Sequence, residues 1–518
     1  MKYLFSSLLL CSVLLVQAQQ LTFDSTFADN GIATSLAGDV AREALDITLQ
    51  TDGKLVTAGT EIAGNGASSF RTLVSRFQAN GQPDSSFAGN GHALLTTGFD
   101  NHAHAVRVQA DGKILVAGNE IYVTPPAQII SRPFIARLKA NGQRDSSFGN
   151  NGIHWLGQLN IFARKEVSSL ALLSDGRIVA GGTVGDPALK MMLVCLNPDG
   201  SYDTGFGVSG VASYVMETGR NAVLWDVLAQ SDNKVLLTGY SGEASLNAPP
   251  ATRIALARVQ TNGTLDPAFG AGGVVLTTLS PSASPFDAAR VVRQQPDGKI
   301  CIAGSSDTSL VLARYRSDGT PDPAFGQGGK VAYAGFPAAS GLALSGGKLY
   351  VSGFVRTGGD SVALSLSGFH ANGSPDTSVG LYGQLKAHRF AKNHLRSLLV
   401  QPDGRLVAAG SFDDAGNSGI LLARFGRPMV VSTGKKMKGN IQVTLYPNPA
   451  GDQVTLTISG IRNPEATVTI YSTAGSVVYC GSYQDSPLQI PLHALAAGVY
   501  FLRLEAREAT ETLRFVKE

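Results

Sequence analysis

A short signature, Asp-x-x-Phe, returns along this chain at Asp24, Asp84, Asp145, Asp203, Asp266 and Asp322, with a decayed copy at Asp376. The steps between copies are 60, 61, 58, 63, 56 and 54 residues. Self-similarity at such a period constrains the fold more than any other property of the sequence. A unit of that size cannot bury its apolar face alone, so it must stack on its neighbours to make a core.

Two further marks recur inside each unit. The first is a turn leading into an apolar run: Asp52-Gly53-Lys54, Asp111-Gly112-Lys113, Asp175-Gly176-Arg177, Asp297-Gly298-Lys299 and Asp403-Gly404-Arg405, drifting to Asp232-Asn233-Lys234 and Gly346-Gly347-Lys348. Asp-Gly tolerates the positive φ angles of tight hairpins, and the flanks are short β-rich runs. The second is an apolar strand ending in Arg76, Arg137, Arg258 or Arg314, eight residues before the next Asp, with Arg424 as the last copy. Cys195 and Gly368 hold that slot in the other two units.

Each unit therefore reads as four short antiparallel strands, which is the pattern of a propeller blade. No convincing amphipathic helix is present, and 60 Gly with 23 Pro suit many turns. The predicted fold is all-β, a seven-bladed propeller over residues 21–425. The chain opens with only the tail of a unit and the last unit stops after Leu421–Phe425, so Gly31–Leu36 is predicted to supply the outermost strand of the last blade and close the ring.

The Asp-x-x-Phe, Asp-Gly-Lys-Ile-Leu-Val-Ala-Gly and Leu-Ala-Arg segments resemble the secreted bacterial propellers built on the delta-60 repeat. That resemblance implies a fold and says little about activity, because function resides in sites rather than folds.

Residues 1–18 read as a secretory signal peptide, with an apolar core from Leu8 to Val16 and cleavage near Ala18. Leu10 before Cys11 argues against lipoprotein processing. Cys195, Cys301 and Cys480 remain in the mature chain, an odd number that implies no disulfide framework. With 42 basic and 39 acidic residues the charges nearly balance, which argues against a nucleic-acid partner. No apolar stretch is long enough to predict a transmembrane span.

Residues 426–440, with Lys435, Lys436 and Lys438, read as a linker. Residues 441–518 read as a separate module of seven short strands, predicted to form a small immunoglobulin-like sandwich. This module resembles the C-terminal sorting domain of the type IX secretion system of Bacteroidetes. The match rests on Tyr446, Pro447, Asn448 and Pro449, then Ile470–Gly475, then Gly498 and Tyr500, then Lys517. The resemblance implies type IX secretion machinery as a partner, export across the outer membrane, and release or attachment at the cell surface.

Motifs of hydrolases, zinc proteases, phosphate-binding loops and Cys-x-x-Cys sites are all missing, so no catalytic residue, cofactor or metal is predicted. Repetition still locates a candidate site. Nine residues before the Asp of each turn stand Glu43, His102, Glu166 and His394, with Ala288 as a blank. His104, Arg290 and Arg396 lie two residues further, on the same strand face. Equivalent positions form a ring, so these residues are expected around one mouth of a central channel, beside the variable loops near 60–69, 119–132, 183–190 and 241–252. They suit an extracellular glycan or protein ligand; a plain solvated lining is the alternative. An enzyme acting on polysaccharide or peptide and a purely structural adhesin are the rival functions.

Overall fold

The computed structural model describes residues 21–35, 40–63, 69–97, 99–124, 128–156, 164–185, 188–243, 251–279, 286–307, 309–336, 338–358, 360–414, 417–426, 442–446, 450, 452–459, 466–472, 476–483, 487–496, 498–506 and 509–517. The expected signal peptide, the linker beyond Gly426, and Pro447, Asn448, Pro449 and Gly475 lie outside them. Two compact units result, Met1–Arg427 and Pro428–Glu518. No helix occurs among the described residues, and none is long and apolar enough to cross a membrane.

In the first unit the repeats fold as antiparallel sheets in chain order. The first sheet runs Ala41–Leu49, Leu55–Ala63, Ser69–Phe77, His92–Leu95, and four more four-stranded sheets follow it. The remaining strands form one nine-stranded sheet. Its two halves, Gly341–Ala387 and Lys392–Gly426, meet at the single parallel pair Val362 and Lys392. The N-terminal strand Ile32–Ser35 joins this sheet, with Ile32 opposite Ala423 and Ser35 opposite Ile420. That is the place His92–Leu95 takes beside Ser69–Phe77 in the first sheet. Gly426, assigned to the linker from sequence, instead extends the strand Asn417–Gly426 and faces Thr22.

The repeated signature is explained by one cluster of contacts. Asp84 Oδ1 accepts hydrogen bonds from the Ser86 hydroxyl at 2.7 Å and the Ser86 amide at 3.2 Å, which sets the turn. Its Oδ2 accepts from Arg76 Nε at 2.7 Å, and both side chains are buried. Burial alone raises the Asp84 carboxyl, but the bonds from Ser86, Lys54 and Arg76 outweigh it and hold the group at about 2. The Arg76 guanidinium lies over the Phe87 ring at 4.8 Å and donates to the Ala140 carbonyl of the next unit at 2.5 Å. Each Phe is worth roughly 2–3 kcal/mol on burial, so the motif is core as well as turn.

The two units that lack the arginine use a substitute. Where Cys195 stands, Arg177 from the turn reaches Asp203 at 2.8 Å and the Thr261 carbonyl at 3.2 Å. Where Gly368 stands, Lys348 reaches Asp376 at 2.6 Å. Burial pushes the Cys195 and Cys301 thiols up to about 12, so both behave as small core side chains.

Cores form between consecutive sheets. Val56, Val74 and Phe87 pack with Ala103, Val106 and Val116. The same kind of core joins Ile47, Leu55 and Leu73 of the first sheet to Val407, Ala409 and Leu422 near the C-terminal end of this unit.

The Pro428–Glu518 unit has two sheets. One is Gln442–Tyr446, Gln453–Ser459 and Leu488–Pro491; the other is Val477–Tyr483, Ala466–Ser472, Gly498–Ala506 and Ala509–Lys517. Val443, Leu456, Val468, Ile470, Leu502 and Phe515 fill a shared core. Tyr500 is buried there, stacked on Phe515 at 5.7 Å, with its hydroxyl donating to the Ala496 carbonyl at 2.8 Å. Lys517 is buried opposite Gly498, its ammonium 3.5 Å from Asp452.

Candidate functional site

The strand before each Asp-Gly turn lines a cavity, and its shape comes from a repeated irregularity. Register shifts between Ala44 and Asp46, Ala103 and Ala105, Val167 and Ser169, Leu224 and Asp226, Ala289 and Val291, and Leu395 and Ser397. A bulge of this kind turns one extra side chain out of the ladder. The extra residues are Leu45, His104, Ser168, Trp225, Arg290 and Arg396, and all line one cavity of about 100 Å³ together with Ser340.

The glycine of the Val-Ala-Gly repeat makes room for the bulge. A Cβ at Gly118 would collide with the His102 carbonyl, and Gly59, Gly182 and Gly410 meet Glu43, Glu166 and His394 in the same way. Gly118→Ala is therefore expected to destabilise the protein by about 3 kcal/mol through overpacking. A denaturation midpoint checks it, with Gly112→Ala in the turn as a comparison that penalises φ alone.

Of the residues picked from sequence, His104, Arg290 and Arg396 share the cavity wall. Glu43, His102, Glu166 and His394 stand near the start of the same strands, two residues before the bulged position, paired to Thr60, Asn119, Thr183 and Ser411. The two levels are electrically linked. Burial raises the Glu43 carboxyl, opposed by the Arg396 charge. Burial and the His102 charge push His104 down to about 4, with Glu166 opposing, so His104 is neutral at pH 7. His102 is lowered by burial; its Nδ1 lies 3.3 Å from the Thr60 hydroxyl and its ring 4.6 Å from Phe70. His394 is lowered by burial and by Arg396, meets Phe354 edge-on at 4.7 Å, and has a buried Nδ1 with no hydrogen-bond partner. Arg290 lies over Trp225 at 3.8 Å; burial and the Arg396 charge lower its guanidinium.

The next level holds an ionic network that sequence reasoning missed. Asp46 accepts from Arg107 at 2.7 Å, from the Val106 amide at 3.1 Å and from the Ser397 hydroxyl at 2.8 Å. Asp226 repeats the arrangement with Arg293 at 2.9 Å, the Val292 amide at 3.1 Å and the Ser169 hydroxyl at 2.8 Å. Burial opposes the Arg107 charge, yet Asp46 and Asp226 together hold its guanidinium above the ordinary range. Asp46, Arg107, Arg293 and Ser397 also border a second cavity of about 610 Å³, with walls that include Leu172, Leu228, Leu344 and Val400.

Trp225 escaped notice because its turn had drifted to Asp232-Asn233, and Ser340 because its hairpin is one residue shorter. Asp46 and Asp226 follow the ring positions by three residues and were legible only once the bulge was known. No group of three or more His, Cys, Asp or Glu among the described residues is arranged to hold a metal ion.

A β-propeller family of unknown function matches residues 50–87, 109–148, 173–206, 230–269, 295–325 and 401–426. The secretion system C-terminal sorting domain matches residues 444–518. The repeats match this propeller family, and the C-terminal unit matches a type IX sorting domain. The sorting domain assigns this propeller repeat protein to secretion or the cell surface, with handling by the type IX machinery.

No curated protein matches it. Among solved structures, a protein of unknown function from Dyadobacter fermentans is 11% identical, covering 77% of this chain and 98% of its own, with a TM-score of 0.41. A polysaccharide lyase is 11% identical over 80% and 98%, with a TM-score of 0.40. An α-L-arabinanase from Penicillium chrysogenum, complexed with arabinobiose, is 15% identical over 62% and 91%, with a TM-score of 0.33. These similarities carry no argument about substrate.

Proposed function

We propose that this is a secreted or surface-displayed binding protein, built as a seven-bladed propeller over residues 21–426 and closed by the strand Ile32–Ser35. Its ligand, an extracellular glycan or protein, enters the channel at the end bearing Glu43, His102, Glu166 and His394. The pairing of Ile32–Ser35 with Ile420–Ala423 supports closure. So does Arg424, which repeats toward Asp24 and the Ala79 carbonyl the contacts that Arg76 makes with Asp84 and Ala140.

The observation that carries the binding reading is a convergence of polar groups that the protein does not satisfy itself. His394 Nδ1 and Arg396 Nε are buried with no hydrogen-bond partner, beside a Glu43 carboxyl raised by burial. Buried polar atoms are normally paired, and an orphaned Arg396 Nε on the cavity wall, with an orphaned His394 Nδ1 two residues before it, is what a ligand would complete.

The test exposes the full mature chain to glycan and peptide libraries, scoring retention and cleavage together. Retention without cleavage, weakened at least tenfold by the His102→Ala/His394→Ala double variant, is the expected result. Cleavage lost in that variant would instead make the protein an enzyme, and inertness toward every library would leave a structural adhesin.

A further inference from the structure

We infer that Arg290 and Arg396 form an oxyanion site that receives a carboxylate or sulfate group from the channel. This deepens the binding reading and rests on it. The cavity contains four arginines from the lining strands, and they fall into two classes. Arg107 and Arg293 are neutralised by Asp46 at 2.7 Å and Asp226 at 2.9 Å. Arg290 and Arg396 have no carboxylate within ion-pair distance among the described residues. They are close enough for the charge of one to disfavour that of the other.

Two guanidiniums on the wall of one small cavity call for an anion beside them. The details favour a planar oxyanion. Arg290 is laid against the Trp225 ring at 3.8 Å, which fixes its plane, and a guanidinium in a fixed plane presents two parallel N–H donors. Arg396 Nε is buried, with no hydrogen-bond partner. The neighbouring hydroxyls offer no protons, because Ser168 donates to the Leu224 carbonyl at 2.9 Å and Ser340 to the Leu395 carbonyl at 2.5 Å. His104 is neutral at pH 7. Recognition of negative charge thus falls to the two arginines.

Size narrows the class further. A space of about 100 Å³ is below the roughly 150 Å³ that holds benzene. A single oxyanion group fits a space of this size. A ligand-borne anion would enter head first, leaving its body among Glu43, His102 and His394.

The experiment follows Trp225 fluorescence in a full-length Trp155→Phe background, since the chain has two tryptophans. Sodium sulfate and sodium glucuronate are titrated at ionic strength held constant with chloride, with glucose as the neutral control. A saturable change with either salt, absent with chloride and glucose, is expected. Arg290→Gln and Arg396→Gln should each weaken it at least tenfold, and Lys139→Gln on the surface should not. Because each arginine variant relieves a like-charge repulsion, its melting temperature without anion should be unchanged or higher.

A response to glucuronate identifies a group carried on a ligand, and a response to sulfate alone identifies a free inorganic ion. No saturable response to either salt overturns the inference, as does a response untouched by both variants. Should the variants fail to fold, the wild-type titration decides by the same criterion. Library retention lost in His102→Ala/His394→Ala, together with no anion response, would sink this inference while leaving the binding reading intact. An anion response without library retention would do the reverse.

Discussion

Asp24→Ala is expected to cost about 3–5 kcal/mol, as much as Asp84→Ala or Asp145→Ala within internal repeats. Asp24 belongs to the first described segment, where an ordinary terminal residue would be worth almost nothing. Here it faces Arg424 at 2.8 Å and Arg405 at 2.9 Å, and Arg424 is buried over the Phe27 ring at 4.6 Å. Removing the carboxylate leaves a buried guanidinium without its counter-charge. Domains are stable by only about 5–15 kcal/mol, so the loss should move a urea midpoint visibly. A change below about 0.5 kcal/mol would contradict closure of a ring by the N-terminal segment.

Asp226→Asn is expected to be nearly as damaging, at about 3 kcal/mol. The carboxylate accepts from Arg293, Ser169 and the Val227 and Val292 amides, so an amide nitrogen in place of Oδ2 would set a donor against donors. It would also withdraw one of the two charges that hold Arg107. Asp46→Asn should cost a similar amount, and the double variant should cost more than the sum because Arg107 then loses both. Strict additivity in urea denaturation would show that the two halves of the network do not communicate.

Much of the architecture was legible because repetition reports geometry that one copy cannot. The Asp-Gly turns marked the hairpins, and the offset of nine residues placed His104, Arg290 and Arg396 on the strands that line the cavity. What remained hidden has a physical cause. A bulge adds one residue to a strand without a composition of its own, so the cavity-lining residue cannot be told from its neighbours by alternation alone. Leu45, Ser168 and Trp225 share that position with Arg396 and have nothing else in common. The Asp46 and Asp226 networks join side chains from different repeats, and local pattern reading does not pair distant residues. The compensation of Cys195 by Arg177 was invisible for the same reason.

Hydrogen exchange of the full chain tests ring closure most directly. Amides of Ile32–Ser35 should exchange as slowly as those of His92–Leu95, the strand with the same place in an internal repeat, and Asp24→Ala should speed both Ile32–Ser35 and Ile420–Ala423. Exchange of Ile32–Ser35 at the rate of a free tail, with His92–Leu95 still protected, would contradict the account.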